Sequence, residues 1–479
     1  MKTPVVAGAE TSRSGPLSRL EEQVRRDLEL LGYPRRPWVP ARTAASGERA
    51  YDVVVVGAGQ GGLATAFGLM RERVTNLLVV DQNPLDRPGP WLRFARMHTL
   101  RTPKYLTGPD LGIPSLTPAA WYEAAHGAGS FCALGSISKE SWANYLGWYR
   151  RTLDIPVLAD TRVGVLEWNA TDRLWQVPCT GAGPDRMLRA RRVVLATGIE
   201  GSGRWHVPDF IREALPESLY AHTHSDIDFG ALRGKRIAIL GAGASAFDNA
   251  STALEAGARG VTLFCRRSEL VKVNPYRWAE FAGFLAHFGE LPDEDKWRFI
   301  RQIVRMGQLP PADTYRRATR HEAFRFHPGE GWTSVGSHGD GVRISTDRES
   351  FDFDFVIVAT GFITDLAVRP ELSAIERHIA RWADRFTPAE GDRHDDLLRH
   401  PYLGPNFEFM ERIPGSAPYV RHLYNFTFGG LLSLGFGGAS ISGMKYSVPR
   451  LVGGLARSLF LEDRNAHFES LRRFEEVEF

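Results

Sequence analysis

Two glycine-rich loops, each entered from an apolar run and each opening a stretch of small residues, constrain this chain more than any other feature. Residues 53–56 lead into Gly57-Ala58-Gly59-Gln60-Gly61-Gly62, and residues 236–240 lead into Gly241-Ala242-Gly243-Ala244-Ser245-Ala246. Both halves also close alike, with residues 193–195 before Ala196-Thr197-Gly198 and residues 355–358 before Ala359-Thr360-Gly361. Repetition on this scale predicts two related α/β units, each starting with a strand, turn and helix and ending on a further strand. Residues 51–56 are almost unbroken apolar, as a strand buried on both faces of a parallel sheet requires. At 479 residues the chain can bury two or three cores of ordinary size.

A glycine turn between a buried strand and a helix lets the backbone approach a pyrophosphate closely, where free N–H groups and the helix dipole favour negative charge. Side chains at Gly57, Gly59 and Gly62, or at Gly241 and Gly243, would obstruct that approach, and Ala246 fills the last small position of the second loop. Such a loop alone is also a packing turn, so the residues beyond it decide. Asp81 ends the apolar run 77–80, 24 residues after Gly57, where a carboxylate accepts ribose hydroxyls. At the same 24-residue offset from Gly241 stands Cys265, followed by Arg266 and Arg267. Guanidinium groups there suit a 2′-phosphate through paired, charge-assisted hydrogen bonds. The first unit is therefore expected to take FAD and the second NADPH; the plain alternative for the arginine pair is a solvated strand end.

Charge gives no reason to invoke nucleic acid: 59 Lys and Arg stand against 56 Asp and Glu, a formal +3, without long basic blocks. Cys132, Cys179 and Cys265 lie far apart, which excludes a disulfide framework, a CxxC redox pair and metal-ligand spacing, and no metal is expected. Residues 1–16 lack the apolar core of a secretory signal, and six glycines interrupt the uncharged stretch 423–444, which reads as buried loop and tunnel wall, not a transmembrane segment. A cytoplasmic location is expected. Leu17, Leu20, Val24, Leu28 and Leu31 recur at three- and four-residue steps, predicting an amphipathic docking helix that stops at Gly32 and a run containing Pro34, Pro37 and Pro40.

Residues 51–450 together resemble the class B flavin-dependent monooxygenases, the group of flavin-containing, N-hydroxylating and Baeyer–Villiger enzymes. The likeness rests on the two loops about 180 residues apart and on Ala359-Thr360-Gly361-Phe362 after Asp354-Phe355-Val356-Ile357-Val358, which resembles the ATG-aromatic signature of the first two branches. Gly89-Pro90-Trp91 is similar to the family's segment beside the flavin. Of the linker F-x-G-x-x-x-H plus aromatic, His224-Ser225 and Phe229 remain without the upstream Phe-x-Gly. Neither His222 nor His224 has tryptophan four residues on, so the Baeyer–Villiger form matches poorly.

The resemblance implies an α/β fold of two Rossmann-like dinucleotide-binding domains, the NADPH domain inserted into a discontinuous FAD domain. Expected boundaries are an N-terminal helical arm at 1–50, the FAD domain at 51–225 and 336–479 with a C-terminal helix, and the NADPH domain with a helical insertion at 226–335. It also implies an NADPH-dependent monooxygenase that forms a C4a-hydroperoxyflavin and oxygenates a soft nucleophile, an amine nitrogen first and sulfur next. A Baeyer–Villiger enzyme is one alternative; an FAD-dependent NADPH reductase or oxidase that transfers no oxygen is another. The expected partners are a small-molecule substrate and O2, with a homo-oligomer left open.

Further FAD contacts are expected from Trp91, Met97, Thr197 and Gly198, and further cofactor contacts from Thr360, Gly361 and Phe362. His98, directly after Met97, is a candidate to hydrogen-bond the flavin or else a structural loop residue. Arg93, Arg96, Arg101 and Lys104 around it suit an anionic substrate group or the flavin phosphates. Residues 274–332 carry Trp278, Phe281, Phe284, Phe288, Trp297 and Phe299, most simply read as core packing. The family's helical subdomain at this place makes Asn274 a candidate cofactor or substrate contact. His224 completes the catalytic candidates. Ser440-Ile441-Ser442-Gly443 either caps the following helix or faces the flavin's carbonyls.

Overall fold

The computed structural model describes residues 15–32, 36–106, 108–181 and 183–479. Pro34 of the proline run, and nearly all of the stretch examined for a secretory signal, lie outside the described residues. Two sheets dominate the rest. Tyr51–Val56 sits inside the first because Val53, Val54 and Val55 can be fully buried, two faces at once. It pairs in parallel with Leu77–Val80 on one side and Arg186–Leu195 on the other. Arg186–Leu195 serves two further partners, antiparallel Leu174–Gly181 along its first half and parallel Leu423–Asn425 at its end. In the second sheet Arg236–Leu240 lies between Gly260–Cys265 and Phe355–Val358, with Phe324–Pro328 and Tyr220–His222 outermost, all parallel.

The internal repeat holds at atomic detail. Gly57 N–H donates to Val80 O at 2.7 Å, and Gly241 N–H to Phe264 O at 2.8 Å. Ala196 N–H donates to Val56 O at 2.8 Å, and Ala359 N–H to Leu240 O at 2.9 Å. Each glycine loop is thus pinned between the two strands that flank its own.

Strand pairing corrects the expected boundaries. The limits 226–335 leave both Tyr220–His222 and Phe355–Val358 to the FAD domain, yet both belong to the second sheet. The reason is backbone satisfaction: Arg236–Leu240 needs a hydrogen-bonding neighbour on each side, and the ATG strand supplies one in this unit as it does in the first. The crossing between units is instead a two-stranded ribbon, Gly203–Trp205 against Phe362–Thr364.

The N-terminal helix, Pro16–Leu30, docks through fully buried Val24 with Leu17, Leu20 and Leu28 partly covered, and lies on Pro118–His126. Leu31, counted in its apolar stripe, falls past the helix end and is exposed. Residues 423–444 are mostly buried, and no helix among the described residues is long and apolar enough to cross a membrane. The aromatic stretch forms Pro275–Trp278, Ala282–His287 and Asp293–Met306, whose Phe284, Phe288 and Trp297 share a core with Trp382, Leu432 and Phe436 of the C-terminal third. Trp278 and Phe281 stay exposed. The insertion therefore roofs the C-terminal part of the first unit.

Candidate active site

The glycines of the first loop do different work. Gly57 has φ +108°, and a methyl there would stand 2.5 Å from Ala196 O, so both conformation and strand crossing demand glycine. A methyl on Gly62 would strike the Gly57 carbonyl. At Gly59 the nearest atom to a methyl is Gly89 Cα, 3.9 Å away, and the face is open. Gly59 caps Gln60–Arg71 without a side-chain bond, which leaves the first-turn N–H groups to an anion. Buried Asp81 steadies the loop: its Oδ2 accepts from Ala58 N–H at 2.5 Å and its Oδ1 from Asn83 N–H at 2.7 Å. Beside it lies a shallow cleft lined by Ala58, Leu63, Asp81, Asn83 and Arg150.

On the other side of the loop Trp91 is buried edge-on to Trp142, and Trp142 Nε1–H donates to Gln60 Oε1 at 3.1 Å. Sequence reasoning passed over Gln60, which stands at a variable position of the glycine loop, and Trp142, which belongs to no motif. Trp91 Nε1 and Thr197 Oγ1 are shielded from solvent with no hydrogen-bond partner, and Gly198 beside Thr197 has φ +79°. Met97 packs against the same core. An open glycine helix start, an acidic strand end, a cleft beyond it and two orphaned polar atoms fit FAD.

The second loop repeats the geometry with different chemistry. Gly241 has φ +123° and a methyl there would stand 2.5 Å from Ala359 O. Gly243 caps Ala244–Glu255, also without a side-chain bond, and Ala246 is fully buried behind it. At the Asp81 position Cys265 turns its Sγ to Arg267 O at 3.3 Å, and burial pushes the thiol's pKa up. The arginine pair divides. Arg266 is exposed and makes no side-chain hydrogen bond or ion pair among the described residues. Arg267, expected to clamp a phosphate, donates instead to Arg305 O and Met306 O, both at 3.1 Å. It caps Asp293–Met306, where exposed carbonyls attract a cation. The loop, the basic residue and the missing carboxylate fit NADPH, with Arg266 as the free cation.

Thr360, Gly361 and Phe362 build the link between units. Thr360 Oγ1–H donates to His206 O, His206 N–H donates to Gly361 O at 3.0 Å, and Phe362 lies edge-on to Phe428. These contacts are made to protein.

The catalytic candidates separate. His98 is exposed, with Nε2 3.9 Å from Glu255 Oε2 at the far end of the second unit's helix. Asn274 is exposed too, and its Oδ1 accepts from Tyr276 N–H at 3.1 Å and Arg277 N–H at 3.4 Å, a helix cap. The surrounding cations have protein partners: Arg93 donates to Asn83 Oδ1, Arg96 to Ser225 O, Arg101 pairs with Asp248 at 2.7 Å, and Lys104 donates to three carbonyls. Arg96 and Arg101 thereby tie the units together. His224 stacks on Trp205 at 4.7 Å, meets Phe94 edge-on, and holds Nε2 3.5 Å from Glu200 Oε2. Burial lowers its pKa against the pull of Glu200.

Sequence reasoning named Ser440 to Gly443 but not what faces them. The loop crosses the start of Gln60–Arg71, where Gly438 O would stand 2.8 Å from a methyl on Gly61. Farther along it Ser442 Oγ–H donates to Glu280 Oε1 at 3.4 Å, and Tyr276 stacks on Phe436 at 5.3 Å. Glycine density was the only signal in sequence.

Two glycine-loop units, one with an acidic and one with a basic strand end, joined through a shared ribbon, define a two-dinucleotide flavoprotein. Residues 51–287 match the family model described as pyridine nucleotide-disulphide oxidoreductase. The three cysteines are unpaired and separate, so the match carries the nucleotide units without a dithiol. A FAD-dependent urate hydroxylase of Xanthomonas campestris pv. campestris is 44% identical over 463 residues, 97% of each chain. Among solved structures, the ornithine hydroxylase of Pseudomonas aeruginosa superposes with TM-score 0.66 at 15% identity, covering 86% of this chain and 100% of that one. The ornithine N-hydroxylase of Kutzneria sp. 744, with reduced FAD, NADP⁺ and L-ornithine, gives 0.64 at 16% identity over 85% and 99%. The chain belongs to the class B flavin-dependent monooxygenases. It is a FAD-dependent NADPH monooxygenase.

Proposed function

We propose that this enzyme hydroxylates urate or a closely related oxopurine. The observation that carries the reading is the 44% identity to a FAD-dependent urate hydroxylase along 97% of both chains. The amine nitrogen expected from the motifs has support from fold alone, since the ornithine hydroxylases are 15% and 16% identical. The balance is substrate, O2, NADPH and a proton going to hydroxylated substrate, water and NADP⁺. FAD, when bound, supplies the hydride acceptor and the means of activating oxygen.

The residues of the chain supply position and shelter. Backbone N–H groups after Gly59 hold the flavin pyrophosphate, Asp81 and its cleft hold the adenosine, and Arg266 reads the 2′-phosphate of NADPH. Trp91 and Trp142 wall the site, and residues 423–444 close it against water. A planar heterocycle finds polar groups in Ser442 and Glu280.

Turnover with urate, an alkylamine, a thioether and a ketone under ¹⁸O2 tests the reading. The expected outcome is equal consumption of NADPH, O2 and urate, with labelled oxygen in the product. Coupled turnover of the amine alone would return the enzyme to N-hydroxylation, a ketone converted to an ester would make it Baeyer–Villiger, and NADPH consumption yielding only peroxide across the panel would make it an oxidase.

A further inference from the structure

We infer that Glu280 is a specificity residue that accepts a hydrogen bond from an N–H group of the substrate; the inference rests on the proposed oxopurine reading. Glu280 lies between the short helices Pro275–Trp278 and Ala282–His287, where the insertion meets the C-terminal loop. One carboxyl oxygen is engaged: Oε1 takes the Ser442 hydroxyl at 3.4 Å. The other, Oε2, is shielded from solvent and has no hydrogen-bond partner. An unpaired, desolvated carboxyl oxygen is costly, and such groups persist where a ligand completes them.

The surroundings say which ligand. The loop bearing Ser442 also presses Gly438 against Gly61 in the first turn of the FAD-side helix, so Glu280 is tied to the cofactor's end of that helix. Next to it Tyr276 and Phe436 stack at 5.3 Å with 29° between their planes. Burial pushes the Glu280 pKa up, and Arg277 and the Ser442 hydroxyl pull against it. A desolvated carboxyl oxygen without a partner, set at the edge of a packed aromatic core, is completed by a flat heterocycle whose in-plane N–H donates to Oε2. An oxopurine has several such N–H groups. A ketone or thioether has none.

The test reads binding to oxidised, FAD-loaded enzyme as well as turnover. In wild type, urate should bind, and an N-methylated urate lacking the facing N–H should bind at least about tenfold more weakly. In E280Q and E280A the Kd for urate should rise by about tenfold or more while the preference over the best-discriminated N-methyl analogue shrinks, with FAD content, melting temperature and NADPH affinity unchanged. A merely structural Glu280 would lower the melting temperature and leave that preference intact, and this result, or an unchanged Kd in both variants, overturns the inference. If wild type binds an alkylamine and no oxopurine, the proposed function fails first. The same variants are then read on the amine, whose ammonium also donates N–H to a carboxylate; a tenfold loss retains Glu280 as the specificity residue, and none removes it.

Discussion

Gly59 shows how much one missing side chain can decide. A methyl at this position meets no protein atom nearer than 3.9 Å, so the protein itself does not require glycine there. A pyrophosphate does, because its oxygens must reach the backbone N–H groups. Gly59→Ala should therefore yield folded protein with near-normal melting behaviour that lacks the yellow flavin absorbance, whereas Gly57→Ala, with its positive φ and its clash at Ala196 O, should fail to fold well. Gly243→Ala should keep FAD and lose affinity for NADPH. Equal flavin loss from Gly59→Ala and Gly243→Ala would show that the units are assigned wrongly. These glycines were legible in the sequence because their role is local. His98 and Asn274 were less legible for the opposite reason: a histidine or an asparagine takes its role from its neighbours, and among protein groups these are Glu255 and two helix N–H groups.

Among elements, the strand end at Cys265 shows the limit of a motif. Two consecutive arginines look equivalent in sequence, yet successive residues leaving a strand point in different directions. Arg267 finds the last carbonyls of Asp293–Met306, while Arg266 remains free. Arg266→Ala should weaken NADPH by about ten- to a hundredfold, or about 1.5–3 kcal/mol, and barely change NADH. Arg267→Ala should lower the melting temperature and affect both nucleotides alike, because it loosens a helix end two residues before Gln308, whose carbonyl lies 3.8 Å from where a methyl on Gly243 would stand. Parallel titrations of both nucleotides with both variants check this; the reverse pattern would make Arg267 the phosphate ligand. The helix itself, 14 residues rich in charge, was visible only as an aromatic-bearing stretch, and its packing on Trp382 arises from residues far along the chain.

The whole molecule is tied by a buried charge cluster that no motif announces. Arg191, 1% exposed in its side chain, meets Asp52, Glu462 and Asp463, and Arg192 meets Glu462, so the first sheet is fastened to the end of the C-terminal helix Met444–Glu462. Burial alone would raise the pKa of Glu462, but the two arginines outweigh it and hold it at about 2. Asp52 goes the other way, since burial outweighs Arg191 and lifts it to about 6. Glu462 thus contributes stability that is present above its unfolded value of 4.5 and lost as pH falls towards 2. Asp52 contributes stability that is present below 3.8 and lost as pH rises through about 6. Glu462→Gln should cost about 1–3 kcal/mol at neutral pH and flatten the loss of melting temperature below pH 4.5. An unchanged acid profile would show that Glu462 is not the group that acid discharges.

The sequence by itself determined the two glycine-loop units, the pair of cofactors and the family, because each depends on residues close together in the chain: a strand, a glycine turn, a helix start and the charge at the next strand's end. Backbone geometry at Gly57 and Gly241 is dictated there, and it returned in the structure with the same contacts in both units. Tertiary structure decided where the units begin and end, since Phe355–Val358 needs Arg236–Leu240 beside it to satisfy its hydrogen bonds. It also decided which polar groups are left over. Arg267 was taken up by a helix end and Asn274 by a helix start, while Arg266 and Glu280 Oε2 were left without partners among the described residues. Whether a polar side chain is free for a ligand depends on every other group that can reach it, and most of those groups come from distant parts of the chain.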